Sequence, residues 1–267
     1  MVRRITKRFS GPAAPATERC VRQTGTTATE MAIGFDLGDT LYEYAGIPLN
    51  WEHEYSAALA SVAESCQCEL TPERIRSGRE LLLRYNTRVT PRVEEREYTA
   101  EHIFAELILE WGLPSECLGG AIAAFFGHFR QTLRAFPETA GVLKKLREVG
   151  VRMGALTDVP YGMPRALVVA DLLAAGLAIP DEQLLTSTMI GHRKPHPAGF
   201  GALADRLGVP CSHLVYVGNE RKDMDGGNAA GCRTALLWRS ASEPPAWRQE
   251  FTIRSLEQLL ELDYDIL

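Results

Sequence analysis

The chain has 267 residues, 45% of them hydrophobic and 24% charged, with a formal net charge of -5. That is the composition of an ordinary globular protein, long enough to bury a sizeable core as one large domain or two modest ones. The acidic balance points away from nucleic acid and anionic membrane, and no apolar run approaches the ~20 residues that span a bilayer.

Residues 1–31 read as a basic, disordered extension. Arg3, Arg4, Lys7, Arg8, Arg19 and Arg22 face only Glu18 and Glu30, amid much Ser, Thr, Gly and Pro. The segment lacks the apolar core of a secretory signal. Its Arg-rich, acid-poor character also resembles an organelle transit peptide, and translation from Met31 is a further alternative. The six cysteines are scattered; only Cys66 and Cys68 are close, and no second pair completes a zinc set. They read as reduced thiols of a cytoplasmic protein.

Ala32–Phe35 is a short apolar run that suits a buried parallel strand, and Asp36 falls where it ends. Gly38 permits a sharp turn behind it, and the Thr40 hydroxyl can tie that turn. Helical spacing follows in Asn50–Glu64, through Trp51, Tyr55, Leu59 and Val62. Thr71-Pro72-Glu73 starts a second helix, with Thr71 as N-cap and Pro72 at the first helical position. Thr99 opens a third towards Trp111, and Pro114 or Ser115 a fourth through Phe129. From Phe136 the pattern alternates. Helices are expected at Thr139–Val149, Pro164–Ala175, Ala198–Leu207, Asp225–Ala230 and Ser255–Leu262. Strands are expected at Val151–Leu156, Gln183–Thr188, His213–Val217 and Thr234–Trp238. Alternation of this kind predicts an α/β fold with a parallel sheet. Residues 32–46 and 134–267 form its core, and 47–133 an inserted helical unit.

In an open parallel sheet, ligands sit outside the carboxyl ends of the strands. Asp36, Thr157, Lys194, Asn219 and Asp223 all fall at or beside strand ends. A carboxylate at Asp36 suits an in-line nucleophile on phosphorus. Thr157, with the backbone N–H of Asp158 and those after it, suits a phosphoryl oxygen. Lys194 supplies a compact charge for nucleophile and phosphate. Asn219 and Asp223 offer oxygens to a hard cation such as Mg²⁺. Singly, Thr157 reads as a turn residue, Lys194 as a solvated charge and Asp223 as a helix cap. Their order along the chain joins them.

Four stretches carry a resemblance: F-D-L-G-D-T-L at 35–41, A-L-T-D at 155–158, R-K-P-H-P at 193–197 and V-G-N-E-R-K-D at 217–223. Together they resemble the haloacid dehalogenase superfamily of Asp-nucleophile hydrolases. The resemblance implies a Rossmann-like core, a C1-type helical cap, Mg²⁺ and an aspartyl-phosphate intermediate in the hydrolysis of a small phosphorylated metabolite. On it, Asp36 is the nucleophile, Thr157 and Lys194 hold the phosphoryl group, and Asp223 supports the metal. The backbone carbonyl of Gly38 completes the metal shell. Such a protein works as a monomer or homodimer.

Two departures stand out. Phosphatases of this family usually carry a second Asp two residues after the nucleophile, as general acid and base; here Gly38 holds that position and Asp39 follows one residue late. Asn219 stands where Asp is common, removing one charge from the metal site. These departures keep two alternatives open: a 2-haloacid dehalogenase, and a catalytically weak binding or regulatory protein. Asn219 and Asp223 are separated by three residues, which fits the phosphatase spacing better. Arg88 and Arg92, in a loop between cap helices with Arg84 just before it, are candidates to meet an anionic substrate, or else solvated charges near Glu94, Glu95 and Glu97. Trp51, Tyr55, Phe125 and Phe126 read as core.

Overall fold

The structure, a computed structural model, describes residues 31–47, 49–90 and 96–261. Arg92, Glu94, Glu95 and residues 1–30 lie outside it. In chain order the elements are β1 (Ala32–Phe35), β2 (Tyr42–Tyr44), α1 (Tyr55–Ser65), α2 (Pro72–Tyr85), α3 (Ala100–Glu110), α4 (Leu118–Arg130), β3 (Leu133–Ala135), α5 (Thr139–Glu148), β4 (Arg152–Thr157), α6 (Arg165–Ala174), β5 (Leu184–Thr186), α7 (Ser187–Ile190), α8 (Ala198–Leu207), β6 (Leu214–Gly218), α9 (Arg221–Ala229), β7 (Arg233–Leu237) and β8 (Phe251–Ile253).

Six strands form one parallel sheet in the order β5-β4-β1-β6-β7-β8. The fold is α/β with a Rossmann-like core. β1 lies inside the sheet, and its last residue, Phe35, is level with Ala155 of β4 and Val217 of β6. That register places the residues just beyond these strands around one point. β1, β4 and β6 are buried on both faces, which is why they read as continuous apolar runs. Met31, which the sequence reading grouped with the extension, is 2% exposed and packs in the core.

Helices α1–α4 pack mainly on one another, α1 along α4. Their buried faces join the main apolar cluster through Trp51, Leu59, Phe104, Phe125 and Phe129. Thr71 and Thr99 cap α2 and α3 through their hydroxyls, accepting from the backbone N–H of Arg74 and His102. Among the described residues, no helix is long and apolar enough to cross a membrane.

Several expectations shift. β2 and β3 pair antiparallel, Tyr42 opposite Ala135 and Tyr44 opposite Leu133, and carry the chain out to the helical unit and back. Three-residue strands are too short to show alternation, and β8 escaped notice for the same reason. The final helix expected at Ser255–Leu262 is a 3-10 helix over Leu256–Glu261, and Leu262 lies outside the described residues. α9 starts four residues before the expected Asp225, because Glu220 and Asp223 form a capping box at its N-terminus. Trp51 lies outside α1, with φ 55°. Gly162 (φ +64°) touches the start of α3: a Cβ there would sit 2.2 Å from the Tyr98 carbonyl oxygen. Only glycine allows the loop after β4 to approach the helical unit so closely.

Candidate active site

Asp36 leaves the end of β1 with its backbone N–H bound to the Val217 carbonyl (2.9 Å). The residue is 5% exposed. Lys194, from the loop before α8, donates to Asp36 Oδ1 (2.7 Å), to Asp223 Oδ1 (2.6 Å) and to the Tyr216 hydroxyl (3.1 Å). Tyr216 in turn donates to the Leu156 carbonyl (2.6 Å). An ammonium has three N–H groups, so these three partners use them all. The influence of Lys194 on a neighbouring anion is therefore its charge rather than a spare hydrogen bond.

Burial pushes the Asp36 carboxyl up to about 6, against the pull of Lys194. Burial works the other way on Lys194, but Asp223 and Asp36 outweigh it and hold its ammonium well above the usual range. Asp223 Oδ2 also accepts from the Glu220 backbone N–H (2.9 Å). The carboxylate thus caps α9 and anchors Lys194 at once. Gly218 is needed beneath it, since a Cβ there would lie 2.4 Å from the Asp223 carboxyl.

Asp158 receives the backbone N–H of Lys194 (3.0 Å) and an ion pair from Lys222 (3.0 Å). Burial would raise its pKa, but Lys222, Arg193 and Lys194 hold the carboxyl well below the ordinary carboxylate range. Thr157 ends β4 and is 7% exposed. Of the backbone N–H groups after it, that of Val159 is already taken by the Ser187 hydroxyl (3.0 Å). The Thr40 hydroxyl does not tie its own turn; it donates to Asn219 Oδ1 (3.3 Å), joining the loops after β1 and β6.

A cavity of about 100 Å³ opens in front of Asp36, several times the space one water needs. Asp36, Gly38, Asp39, Arg88, Thr157 and Asp158 line it, whereas Lys194, Asn219 and Asp223 are not part of the lining. Asp39, which follows the usual acid position one residue late, is among the residues lining this cavity. Its backbone has φ 56°, and Arg239 holds its carbonyl oxygen at 2.9 Å. Burial raises its carboxyl pKa, with Glu43 adding to the effect. Arg88 reaches the cavity but forms a bidentate pair with Glu220 (2.7 and 3.0 Å), bridging the helical unit to the loop after β6. Burial would raise the Glu220 carboxyl, but Lys222 and Arg88 bring it down to about 2. Arg84 pairs instead with Glu106 on the surface. Tyr55, Phe125 and Phe126 are core, whereas Trp51 is both buried and cavity-lining.

The sequence reading missed Tyr216, Glu220, Lys222 and Arg193. Arg193, Glu220 and Lys222 lay inside the quoted stretches at 193–197 and 217–223, and Tyr216 stood out as a phenol inside an otherwise apolar strand. The donor set beside the cavity is made of hard oxygens: the Asp36 and Asp223 carboxylates, the Gly38 carbonyl and the Asn219 amide oxygen. That fits a magnesium-like ion, which takes one or two carboxylates and completes its shell with phosphate and water. Among the described residues, no cluster of three His, Cys, Asp or Glu could hold a metal by itself.

Residues 30–231 match the family model of haloacid dehalogenase-like hydrolases. A glyceraldehyde 3-phosphate phosphatase from Methanopyrus kandleri is 29% identical over 78% of this chain and 84% of its own length. A phosphoglycolate phosphatase from Rhodospirillum rubrum is 31% identical over 46% of this chain and 52% of its own; the chain thus spans about half of that relative. Among solved structures, a 2-haloacid dehalogenase from Pseudomonas syringae pv. tomato DC3000 shares the fold, with TM-score 0.61 and 24% identity over 86% of this chain and 96% of that one. A phosphatase from Thermococcus onnurineus does so with TM-score 0.57 and 19% identity, over 86% and 96%. This chain belongs to the haloacid dehalogenase-like hydrolase family.

Proposed function

We propose that the protein is a phosphatase that hydrolyses a small phosphate monoester through Asp36, with Mg²⁺. The observation that carries this reading is the buried Asp36–Lys194–Asp223 cluster at the strand ends, opening on the cavity. The names of the two curated relatives, both phosphatases, support it. Asp36, Asp223, Asn219 and the Gly38 carbonyl would hold the ion. When bound, it would neutralise charge on the phosphoryl oxygens.

In this reading an Asp36 oxygen attacks phosphorus in line, the bond from phosphorus to the ester oxygen breaks, and an aspartyl phosphate forms. Asp39 gives its proton to the departing alkoxide. It then takes a proton from the water that attacks the aspartyl phosphate, releasing inorganic phosphate and restoring the Asp36 carboxylate. Lys194 keeps Asp36 ionised by its charge, and Thr157 with the Asp158 N–H holds a phosphoryl oxygen. Helices α1–α4 act as a cap over the cavity, fastened by Arg88 to Glu220.

Phosphate release from an ester panel at millimolar Mg²⁺ tests the reading. The expected result is turnover by the wild type and none by Asp36→Asn, because an amide is a far poorer nucleophile. A 2-haloacid should yield no halide. Full phosphatase activity in Asp36→Asn, or halide release in place of phosphate release, would refute it.

A further inference from the structure

The walls of the cavity beyond the phosphoryl end are apolar and aromatic. Tyr44, Leu49, Trp51, Tyr161, Met163 and Val168 all face it. Trp51 stacks on Phe129 (centroids 3.8 Å apart, planes at 11°) and on Tyr161 (5.8 Å, 29°). Both Trp51 and Tyr161 hold left-handed backbones, with φ 55° and 47°. Bulky side chains rarely adopt that conformation, and it persists where packing overdetermines it, often at ligand clamps. The two rings are therefore held in place against the cavity at a cost in backbone energy.

The charges around the same space are paired off: Asp36 is held by Lys194 and Glu43 by Arg134, both from outside the lining. Among the described residues, the lining carries the carboxylates of Asp36, Asp39, Glu43, Glu97, Asp158 and Glu220, against only Arg88, Arg193 and Lys222. Each of these three cations is already engaged. Arg88 is bidentate on Glu220, Arg193 is bound to Glu97, and Lys222 sits 3.0 Å from both Asp158 and Glu220. A leaving group that brought its own carboxylate would find no uncommitted cation among them, and would have to compete with a carboxylate already paired there. An uncharged ring or alkyl chain would lose nothing and would gain contact with the aromatic wall.

From these two observations we infer that the site selects phosphate monoesters whose alcohol half is uncharged and apolar or aromatic, and rejects those whose alcohol half carries a carboxylate. The inference rests on the phosphatase reading and deepens it. It also sets this chain apart in preference from relatives named for phosphoglycolate.

Benzyl phosphate and phosphoglycolate make a matched pair of probes. Both are primary alkyl monoesters, so the reacting bond is chemically alike, and they differ in ring against carboxylate. With the full chain and Mg²⁺, kcat/KM for benzyl phosphate should exceed that for phosphoglycolate by about tenfold or more, since juxtaposed like charges penalise binding heavily. Glu43→Gln removes one lining charge and should shift the ratio at least ~3-fold towards phosphoglycolate. Equal or better turnover of phosphoglycolate by the wild type overturns the inference. So does a ratio that Glu43→Gln leaves unmoved, which would show that the lining charge does not set the preference. Failure to release phosphate from either probe, or from any other ester, would overturn the phosphatase reading itself, and so is distinguishable from a wrong preference.

Discussion

At Gly38 and Asp39 a carboxylate stands one residue later than the family's usual second Asp. The usual second carboxylate is missing at 38, where a Cβ would meet nothing within 4 Å. Asp39 lines the cavity, and its backbone takes a left-handed turn that Asp tolerates better than most residues. Partial burial raises its pKa, the direction a proton donor needs. Asp39→Asn should therefore lower kcat for alkyl phosphates by about 10²-fold. The loss should be smaller for p-nitrophenyl phosphate, whose leaving group needs no proton. A small loss that ignores the leaving group would reassign Asp39 to bracing the turn.

At the scale of elements, the connection between sheet and helical unit depends on a buried carboxylate. Asp171, on α6, is fully buried. It accepts from the Tyr44 hydroxyl of β2 at 2.6 Å and pairs with Arg130 at the end of α4. One side chain thus ties the outgoing strand and the returning helix to the core. Removing it leaves Arg130 without its partner, and breaking a buried pair in this way costs about 3 kcal/mol. Urea denaturation of Asp171→Ala should show a loss of that order, against about 1 kcal/mol for Tyr44→Phe, which deletes one neutral donor. Similar losses in the two variants would mean that the ion pair contributes little.

Over the whole molecule, the site's carboxylates give stability opposing pH dependences. The Glu220 carboxyl falls from its ordinary 4.5 to about 2 in the folded chain, so its contribution is present above pH 4.5 and is lost as pH falls towards 2. Asp36 rises from 3.8 to about 6, so its contribution is present below 3.8 and is lost as pH rises through 6. In metal-free buffer, Glu220→Gln should flatten the acid-side fall in thermal midpoint. Asp36→Asn should remove the decline between about pH 4 and 6, and so gain relative stability at neutral pH while losing activity. Midpoints measured from pH 2.5 to 7 check both; parallel curves for the variants and the wild type would show that neither group governs the profile.

What the sequence determined by itself was the set of features written in local spacing. β1, β4 and β6 were legible because strands buried on both faces are continuous apolar runs. Thr71 was legible as a cap and Thr99 as a helix start because capping acts over three residues. Asp36 and Thr157 were placed at strand ends by the same signals. The tertiary structure alone decided which partners those residues meet. Arg88 reaches Glu220 across 132 positions, and Lys194 reaches Asp36 across 158. Tyr216, Lys222 and Asp171 took their places through strand order and helix docking. Nor could β2 and β3 be read, since three-residue strands carry no period and 88 residues separate their ends. Short-range spacing fixes what a segment forms; the charge and shape of a cavity depend on side chains brought together from far along the chain, and no local pattern records that.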